Sequence, residues 1–309
     1  MSKILITGGA GFIGSNLARH FLGLGHEVCI LDNFSTGRRS NLSDLVKDVT
    51  LIEGDIRYYN NVLQAVKGCD YIFHEAALPS VLRSVRSPIE SNDVNIGGTL
   101  NILLAAKENN VKRVVYAASS SAYGDSETLP KIESMRVNPK SPYAINKLTG
   151  ELYCRVFYEV YGLQTISLRY FNVFGPYQDP SSYYSAVIPK FINQMQQVER
   201  PTIFGDGLTS RDFTFIDNVV KANELAMTAS ETHGETINIG TGERYSLNDL
   251  VFMLNKILKT SLDPIYAQER DGDVKHSLAD ISKAKQLIDY LPEISFNDGL
   301  KKTVEWYTN

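Results

Sequence analysis

The sequence predicts an α/β protein: a doubly wound parallel sheet with a smaller α/β unit built from its C-terminal part. Three observations predict it. Short β-branched runs recur at 4–7, 28–31, 50–52, 71–74, 114–117 and 165–168, and helical patterns lie between them. The runs are nearly continuous in apolar residues, as strands are when helices cover both faces of a parallel sheet. Beyond residue 170 the alternation stops, loops lengthen, and Pro and Gly punctuate short segments such as 200–207. A chain of 309 residues has room for two domains or one large one.

The elements follow in order. Lys3-Ile4-Leu5-Ile6-Thr7 runs into a glycine-rich turn, after which Ile13, Leu17 and Phe21, spaced by four, mark a helix ended by Gly23 and Gly25. The second strand closes on Asp32. The third leads to Gly54-Asp55-Ile56, and the fourth carries His74 before Ala76-Ala77. A helical pattern runs from Val94 through Leu100, Leu103 and Leu104 to Asn109-Asn110, and the fifth strand ends in Ala118-Ser119-Ser120-Ser121-Ala122-Tyr123-Gly124. Ser141-Pro142 suits a helix start. Right-handed crossovers then give one parallel sheet. Residues 1–170 are expected to form its domain, with a return segment at about 211–240 that includes a strand at 236–239. Residues of about 171–210 and 241–309, with a helix at 247–258 after a Ser246 cap, are expected to form a lid over the carboxyl ends of the strands.

Composition excludes several classes. With 43% apolar and 21% charged residues, 22 Gly and 11 Pro, the chain is neither disordered nor repetitive. A net charge of −4 argues against a nucleic-acid partner, and no apolar stretch reaches the 18 or so residues of a membrane span. No charged region followed by an apolar one precedes the first strand, and Cys29, Cys69 and Cys154 are isolated, so buried free thiols in a reducing, cytoplasmic setting are expected.

Gly8-Gly9-Ala10-Gly11-Phe12-Ile13-Gly14 joins a strand to a helix, and Asp32 ends the next strand 18 residues beyond Gly14. Gly8 allows the tight turn, Gly11 the approach of backbone to a pyrophosphate, and Gly14 the packing of helix on strand. The helix N-terminus adds free amides and partial positive charge. Asp32 can accept from both ribose hydroxyls and would repel a 2′-phosphate, so NAD is favoured; Arg38 and Arg39 nearby leave NADP as a minor alternative. Asp55-Ile56 could meet the adenine, and Ala76-Ala77 offers small side chains where a cofactor passes closely. His74 reads as a packed strand histidine before it reads as a ligand.

Tyr143 and Lys147 stand four apart on one helix face. A phenol near its ordinary pKa of about 10 is a poor base at neutral pH; an ammonium beside it, and the positive charge of a nicotinamide, favour phenolate. A serine hydroxyl at the tip of the fifth strand can hydrogen-bond the reacting oxygen.

These pieces resemble an extended short-chain dehydrogenase/reductase over essentially the whole chain, and within that superfamily the nucleotide-sugar 4-epimerases. The matching segments are 7–14, Asp32-Asn33, 54–56, His74-Glu75-Ala76-Ala77, the serine run, the Tyr143/Lys147 pair and Arg169-Tyr170-Phe171-Asn172-Val173-Phe174-Gly175. The resemblance implies a Rossmann domain with a substrate-binding domain, resident NAD, a UDP-sugar substrate and a homodimer. It makes Ser119 the catalytic hydroxyl, within a register uncertain by one residue among Ser119, Ser120 and Ser121. It sets Phe171 beside the nicotinamide, Asn95 near the cofactor and Asn172 on the diphosphate. It further implies a uracil-stacking Phe204, diphosphate-binding Arg211 and Arg270, a ribose contact at Asp273, and substrate-loop positions Val187 and Lys190.

By the same resemblance, 4,6-dehydratases carry an Asp-Glu pair after the catalytic hydroxyl and decarboxylases a glutamate; Ser120 and Ser121 stand there instead, which favours epimerisation. In epimerases limited to unacetylated sugars a tyrosine walls the pocket four residues past the aspartate that Asp273 matches. Here that position is Ser277, which leaves room for a 2-acetamido group. Interconversion of UDP-N-acetylglucosamine and UDP-N-acetylgalactosamine is therefore expected. UDP-glucose 4-epimerase, or a dehydratase or decarboxylase on the same scaffold, is the alternative; a dinucleotide-sensing regulator is disfavoured because both Tyr143 and Lys147 are present.

Overall fold

The apolar runs of the first half each serve two faces, and that decides the layering. In a computed structural model describing residues 1–180, 187–230, 232–269 and 274–308, Ile4 and Ile6 pack with Leu17, Phe21 and Ile30 on one side of the sheet. Leu5, Leu31 and Ile72 face Val62, Ile102 and Leu103 on the other. Successive side chains of a strand point to opposite faces, so an unbroken apolar run is what a doubly covered sheet needs.

The strands are β1 (Lys3–Thr7), β2 (Glu27–Asp32), β3 (Val49–Glu53), β4 (Tyr71–His74), β5 (Arg113–Ser119), β6 (Thr165–Tyr170), β7 (Val173–Phe174), β8 (Thr202–Phe204), β9 (Ser210–Arg211), β10 (Thr214–Phe215), β11 (Thr236–Ile239), β12 (Tyr245–Ser246) and β13 (Ile265–Ala267). The helices are α1 (Phe12–Gly23), α2 (Tyr59–Val66), α3 (Val81–Arg86), α4 (Pro88–Asn92), α5 (Gly98–Glu108), α6 (Pro142–Tyr161), α7 (Val187–Gln196), α8 (Ile216–Thr228), α9 (Leu247–Leu258), α10 (Ser282–Ile288) and α11 (Phe296–Thr308).

Seven strands form the main sheet in the order β11-β6-β5-β4-β1-β2-β3, parallel throughout. The chain winds outward from β1 to β3, then returns to β4 on the other side of β1. The switch point between β1 and β4 opens a crevice at the strands' carboxyl ends, where ligands of such sheets sit. Helices α2, α5 and α6 cover one face; α1 and α8 pack together on the other. The remaining strands form three short pairs, β7 with β10, β8 with β13 and β9 with β12.

Most expected elements are found within a residue or two, and α9 spans the expected 247–258. Ser246 caps it in a capping box with Asp249. The helix expected from Val94 begins later: residues Asp93–Gly97 form a wider π-type turn before α5 starts at Gly98. That turn aims Asn95 back at the chain after β4, where its amide closes on both backbone groups of Leu78. All three cysteines are buried and free. Among the described residues no helix is long and apolar enough to cross a membrane.

Candidate active site

A cleft of about 580 Å³ lies over the switch point. Its floor is the glycine turn. Gly8 has φ +69°, and a side chain there would press on the backbone of Ala76 at 2.7 Å. A Cβ on Gly14 would stand 2.3 Å from the Gly8 carbonyl, so helix and turn meet only because position 14 is bare. The turn, Phe12, Ile13, Asp32, Asn33, Ile56, Ala76, Ala77, Tyr143 and Lys147 all line the cleft.

The Asp32 carboxylate accepts from the Ala10 amide at 2.9 Å and the Phe34 amide at 2.8 Å. Burial pushes its pKa up, against those two amides. Each oxygen keeps a further lone pair for a donor entering from the cleft. The bare glycine cradle, the N-terminus of α1 and this carboxylate fit the diphosphate and ribose of NAD. Asp55 stands behind the wall, held by Asn33 and Arg57, which pull its carboxyl below the ordinary value against burial. Asn95 is likewise buried behind Leu78 rather than lining the cleft.

Helix α6 delivers Tyr143 and Lys147. Its first-turn amides are taken by hydroxyls, Tyr143 N donating to Ser84 Oγ at 3.0 Å and Ala144 N to Ser141 Oγ at 3.2 Å. Lys147 Nζ donates to the carbonyl of Ala117 at 2.6 Å, and burial brings its pKa down to about 8 while Glu75 and Glu151 hold it up. Ser119 Oγ accepts from the amide of Ser121 at 3.2 Å and from its hydroxyl at 2.8 Å, which leaves the Ser119 proton to donate elsewhere. It faces Tyr143. Burial raises the phenol's pKa, the Ser119 hydroxyl works against that, and the charge of Glu75 adds to it. Burial and the Glu75 charge thus oppose the ionisation of this phenol that the helix spacing of Tyr143 and Lys147 favours, and the ammonium gives one of its protons to a backbone carbonyl.

His74 is a packing group. Thr99 donates its hydroxyl proton to Asn95 O at 2.6 Å, so it can only accept from His74 Nε2. Nδ1 is then bare and accepts from Thr7 Oγ1 at 2.7 Å. Burial brings the imidazole down to about 3, so it stays neutral.

The expected sugar-nucleotide residues form a second group beyond β6. Asn172, at φ +30°, donates to Ser277 Oγ at 3.0 Å and to the carbonyl of Asp212 at 3.1 Å. Arg211 on β9 donates to the carbonyls of Ser210 and Lys275, both at 3.0 Å, beside Ser277. Asp212 ties this corner together, accepting from Thr241 N and Oγ1, Gly242 N and Ala279 N. Phe171 is fully buried against Tyr123 and Ala279 and does not line the cleft. Ser120 and Ser121 form the turn after β5, Phe204 ends β8, and Val187 and Lys190 lie on α7. Arg270 and Asp273 lie outside the described residues.

Several lining residues carried no signal in the sequence. Tyr177, Gln178 and Asp179 close the cleft's rim opposite Arg38, which is paired with Asp179. Arg38 is held by that pair, 141 residues away in sequence. Glu75 stood in the sequence only as part of the matching segment His74-Glu75-Ala76-Ala77, with no role attached to it.

A family model described as NAD dependent epimerase/dehydratase family matches residues 4–240. The chain is 36% identical over 308 residues to a putative UDP-glucose 4-epimerase of Methanocaldococcus jannaschii, covering 99% of this chain and 98% of that protein. UDP-N-acetylglucosamine 4-epimerase from Methanobrevibacter ruminantium, solved in complex with UDP-N-acetylmuramic acid, matches with TM-score 0.95 and 40% identity over 99% of this chain and 98% of that one. The UDP-glucose 4-epimerase of Thermus thermophilus, solved in complex with NAD, matches with TM-score 0.90 and 32% identity over 99% of each.

Proposed function

The chain belongs to the NAD dependent epimerase/dehydratase family and takes NAD as its cofactor, and we propose that it inverts carbon 4 of a UDP-hexose, interconverting UDP-N-acetylglucosamine and UDP-N-acetylgalactosamine through a 4-keto sugar. The observation that carries the reaction is that Tyr143 and Lys147 line the cleft together, with the Ser119 hydroxyl beside the phenol. Bound NAD supplies a reversible acceptor for the hydride of carbon 4. Tyr143 takes the proton of the 4-hydroxyl and returns it, so its phenol must be ionised when the sugar is in place. Ser119, with both neighbouring donors already spent on its oxygen, gives its own proton to the reacting oxygen. Lys147, anchored on the carbonyl of Ala117, brings a positive charge to the same site.

Asn172 and Arg211, with Phe204, Val187, Lys190, Arg270 and Asp273, are proposed to hold the UDP moiety, a guanidinium fork suiting a diphosphate. The acetylated sugar is favoured by Ser277, whose small side chain is oriented by the Asn172 amide at 3.0 Å. Its hydroxyl can meet an acetamido group where a bulky ring would block one. The relative at TM-score 0.95 is named for the acetylated substrate; the relative at 36% identity is named for UDP-glucose. A homodimer is proposed through α6, where Leu152, Val156 and Val160 stand 45%, 40% and 64% exposed rather than in the core.

The test is to mix the purified protein, without added cofactor, with UDP-N-acetylglucosamine and follow proton NMR. The galacto epimer should appear and NAD should not be consumed. Turnover of UDP-glucose alone, offered in a parallel sample, would transfer the proposal to the unacetylated sugar, and release of NADH or loss of water from the sugar would end it.

A further inference from the structure

One ionisable group at the reaction centre has no part in the chemistry described above. Glu75 follows the last residue of β4 and lines the cleft beside Ala76, Tyr143, Lys147 and Tyr170. Its setting is directional. Asn223 on α8 donates from Nδ2 to Val219 O at 2.8 Å and to Tyr170 Oη at 2.9 Å, so both its amide protons are spent. Tyr170 Oη, already accepting from that amide, has two acceptors for its single proton, Asn223 Oδ1 at 3.2 Å and the nearer, charge-bearing Glu75 Oε1 at 2.9 Å, and donates to the latter. The relay therefore ends by presenting a hydrogen-bond donor to Glu75, which favours a carboxylate there.

We propose that Glu75 is the counter-charge of the reaction centre, a positioning residue that keeps Lys147 an ammonium and sets how readily the bound NAD is reduced. The reasoning is charge balance in a cleft where Lys147 is buried and Glu75 and Tyr143 are half-buried, so that an unbalanced charge is poorly solvated. Lys147 and the oxidised nicotinamide each carry one positive charge; ionised Tyr143 and ionised Glu75 each carry one negative charge. When a proton has returned to the phenol and the nicotinamide is reduced, Lys147 and Glu75 remain, and the sum is again zero. Without Glu75 the centre carries a net positive charge in both states, which favours the neutral, reduced nicotinamide over the cationic, oxidised one and loosens the proton on Lys147.

The groups facing Glu75 are Lys147 and Tyr143 from α6, Tyr170 from β6 and, through Tyr170, the uncharged Asn223 from α8. Neighbouring His74 is neutral and packs against Tyr116 on the other face. Burial pushes the Glu75 carboxyl up to about 7, with the Tyr170 donor and the Lys147 charge pulling it down. The counter-charge is thus fully present above that pH and is lost as pH falls through it. This rests on NAD binding and on Tyr143 and Lys147 being the reaction centre, but not on which sugar is turned over.

The experiment is a spectroelectrochemical titration of the NAD-loaded protein, without sugar, at pH values on either side of 7. The wild type is compared with Glu75→Gln, which still accepts from Tyr170, and with Tyr170→Phe. Above pH 7, Glu75→Gln should raise the reduced-to-oxidised ratio at fixed poise about tenfold, the order expected of one unit charge at intermediate dielectric, or about +30 mV for a two-electron couple. Below pH 7 the two should converge. Tyr170→Phe removes a donor that lowers the carboxyl's pKa, so convergence with Glu75→Gln should set in at higher pH. Equal potentials at all pH values, or an offset that does not change with pH, would overturn the proposal.

Discussion

Replacing Asp212 by asparagine tests whether one buried carboxylate organises the corner proposed to hold the UDP-sugar. Asp212 is 0% exposed. Its Oδ1 accepts from the amide and hydroxyl of Thr241, each at 2.8 Å, and its Oδ2 from the amides of Gly242 and Ala279, each at 3.1 Å. Turned toward Gly242 and Ala279, the NH2 of an asparagine meets two amide donors; turned toward Thr241 it meets one, because the Thr241 hydroxyl can accept from it and donate to Glu243 O instead. Hydrogen bonds to a charged group contribute about 1.5–3 kcal/mol each, so the better orientation, which loses one, costs about 1.5–3 kcal/mol. At about 2 °C per kcal/mol for a chain of this size, the melting temperature should fall by roughly 3–6 °C. The Ala279 amide lies two residues from Ser277, so the loosened segment should also raise KM for the UDP-sugar more than it lowers kcat. Calorimetry of the NAD-loaded variant and steady-state kinetics read the two effects. A melting temperature within about 1 °C of wild type would refute the account of this corner.

Four further outcomes follow from the same geometry. Tyr143→Phe should lower kcat by at least about a thousandfold while NAD stays bound, and brisk turnover would remove the phenol from the mechanism. Ser277→Tyr should depress kcat/KM on UDP-N-acetylglucosamine at least about tenfold more than on UDP-glucose; equal losses on both would show that position 277 is not the gate. Because the Lys147 ammonium is brought down to about 8, activity should fall as pH rises through that value, and Glu75→Gln should move the decline to lower pH; a rate that is flat from neutrality to well above pH 8 contradicts this. Gly14→Ala would place a Cβ 2.3 Å from the Gly8 carbonyl and 2.8 Å from the Gly9 Cα, so the protein should purify without its nucleotide, as the ratio of absorbance at nucleotide and protein maxima would reveal.

The sheet and the cofactor cradle were legible because local chemistry specifies them. A bare turn between strand and helix, an aspartate ending the next strand and the Ser246 cap each act within a few residues. What was hidden depends on distance along the chain. The pairing of Arg38 with Asp179 joins segments that share no pattern, and the turn at Asp93–Gly97 has no composition that marks it. Leu152, Val156 and Val160 show an apolar periodicity that fits either a core or a contact face; only their exposure separates the two. The electrostatics of Tyr143 depart from expectation for a similar reason: helix spacing places Lys147 near the phenol, but not the Ala117 carbonyl that claims the ammonium, nor Glu75 facing both. Glu75 itself stood in plain view, and nothing local said that β6 and α8 would bring Tyr170 and Asn223 to it.

The seventh strand has a consequence for how the protein is made. β11 comes from Thr236–Ile239 and covers the edge of β6, which was completed at Tyr170. On the ribosome, β6 must therefore wait with a row of unpaired amides and carbonyls while some sixty-five further residues are translated. A nascent chain stalled in that interval offers a ready template for strand addition, and holdase chaperones should engage it there rather than at the glycine-rich amino end.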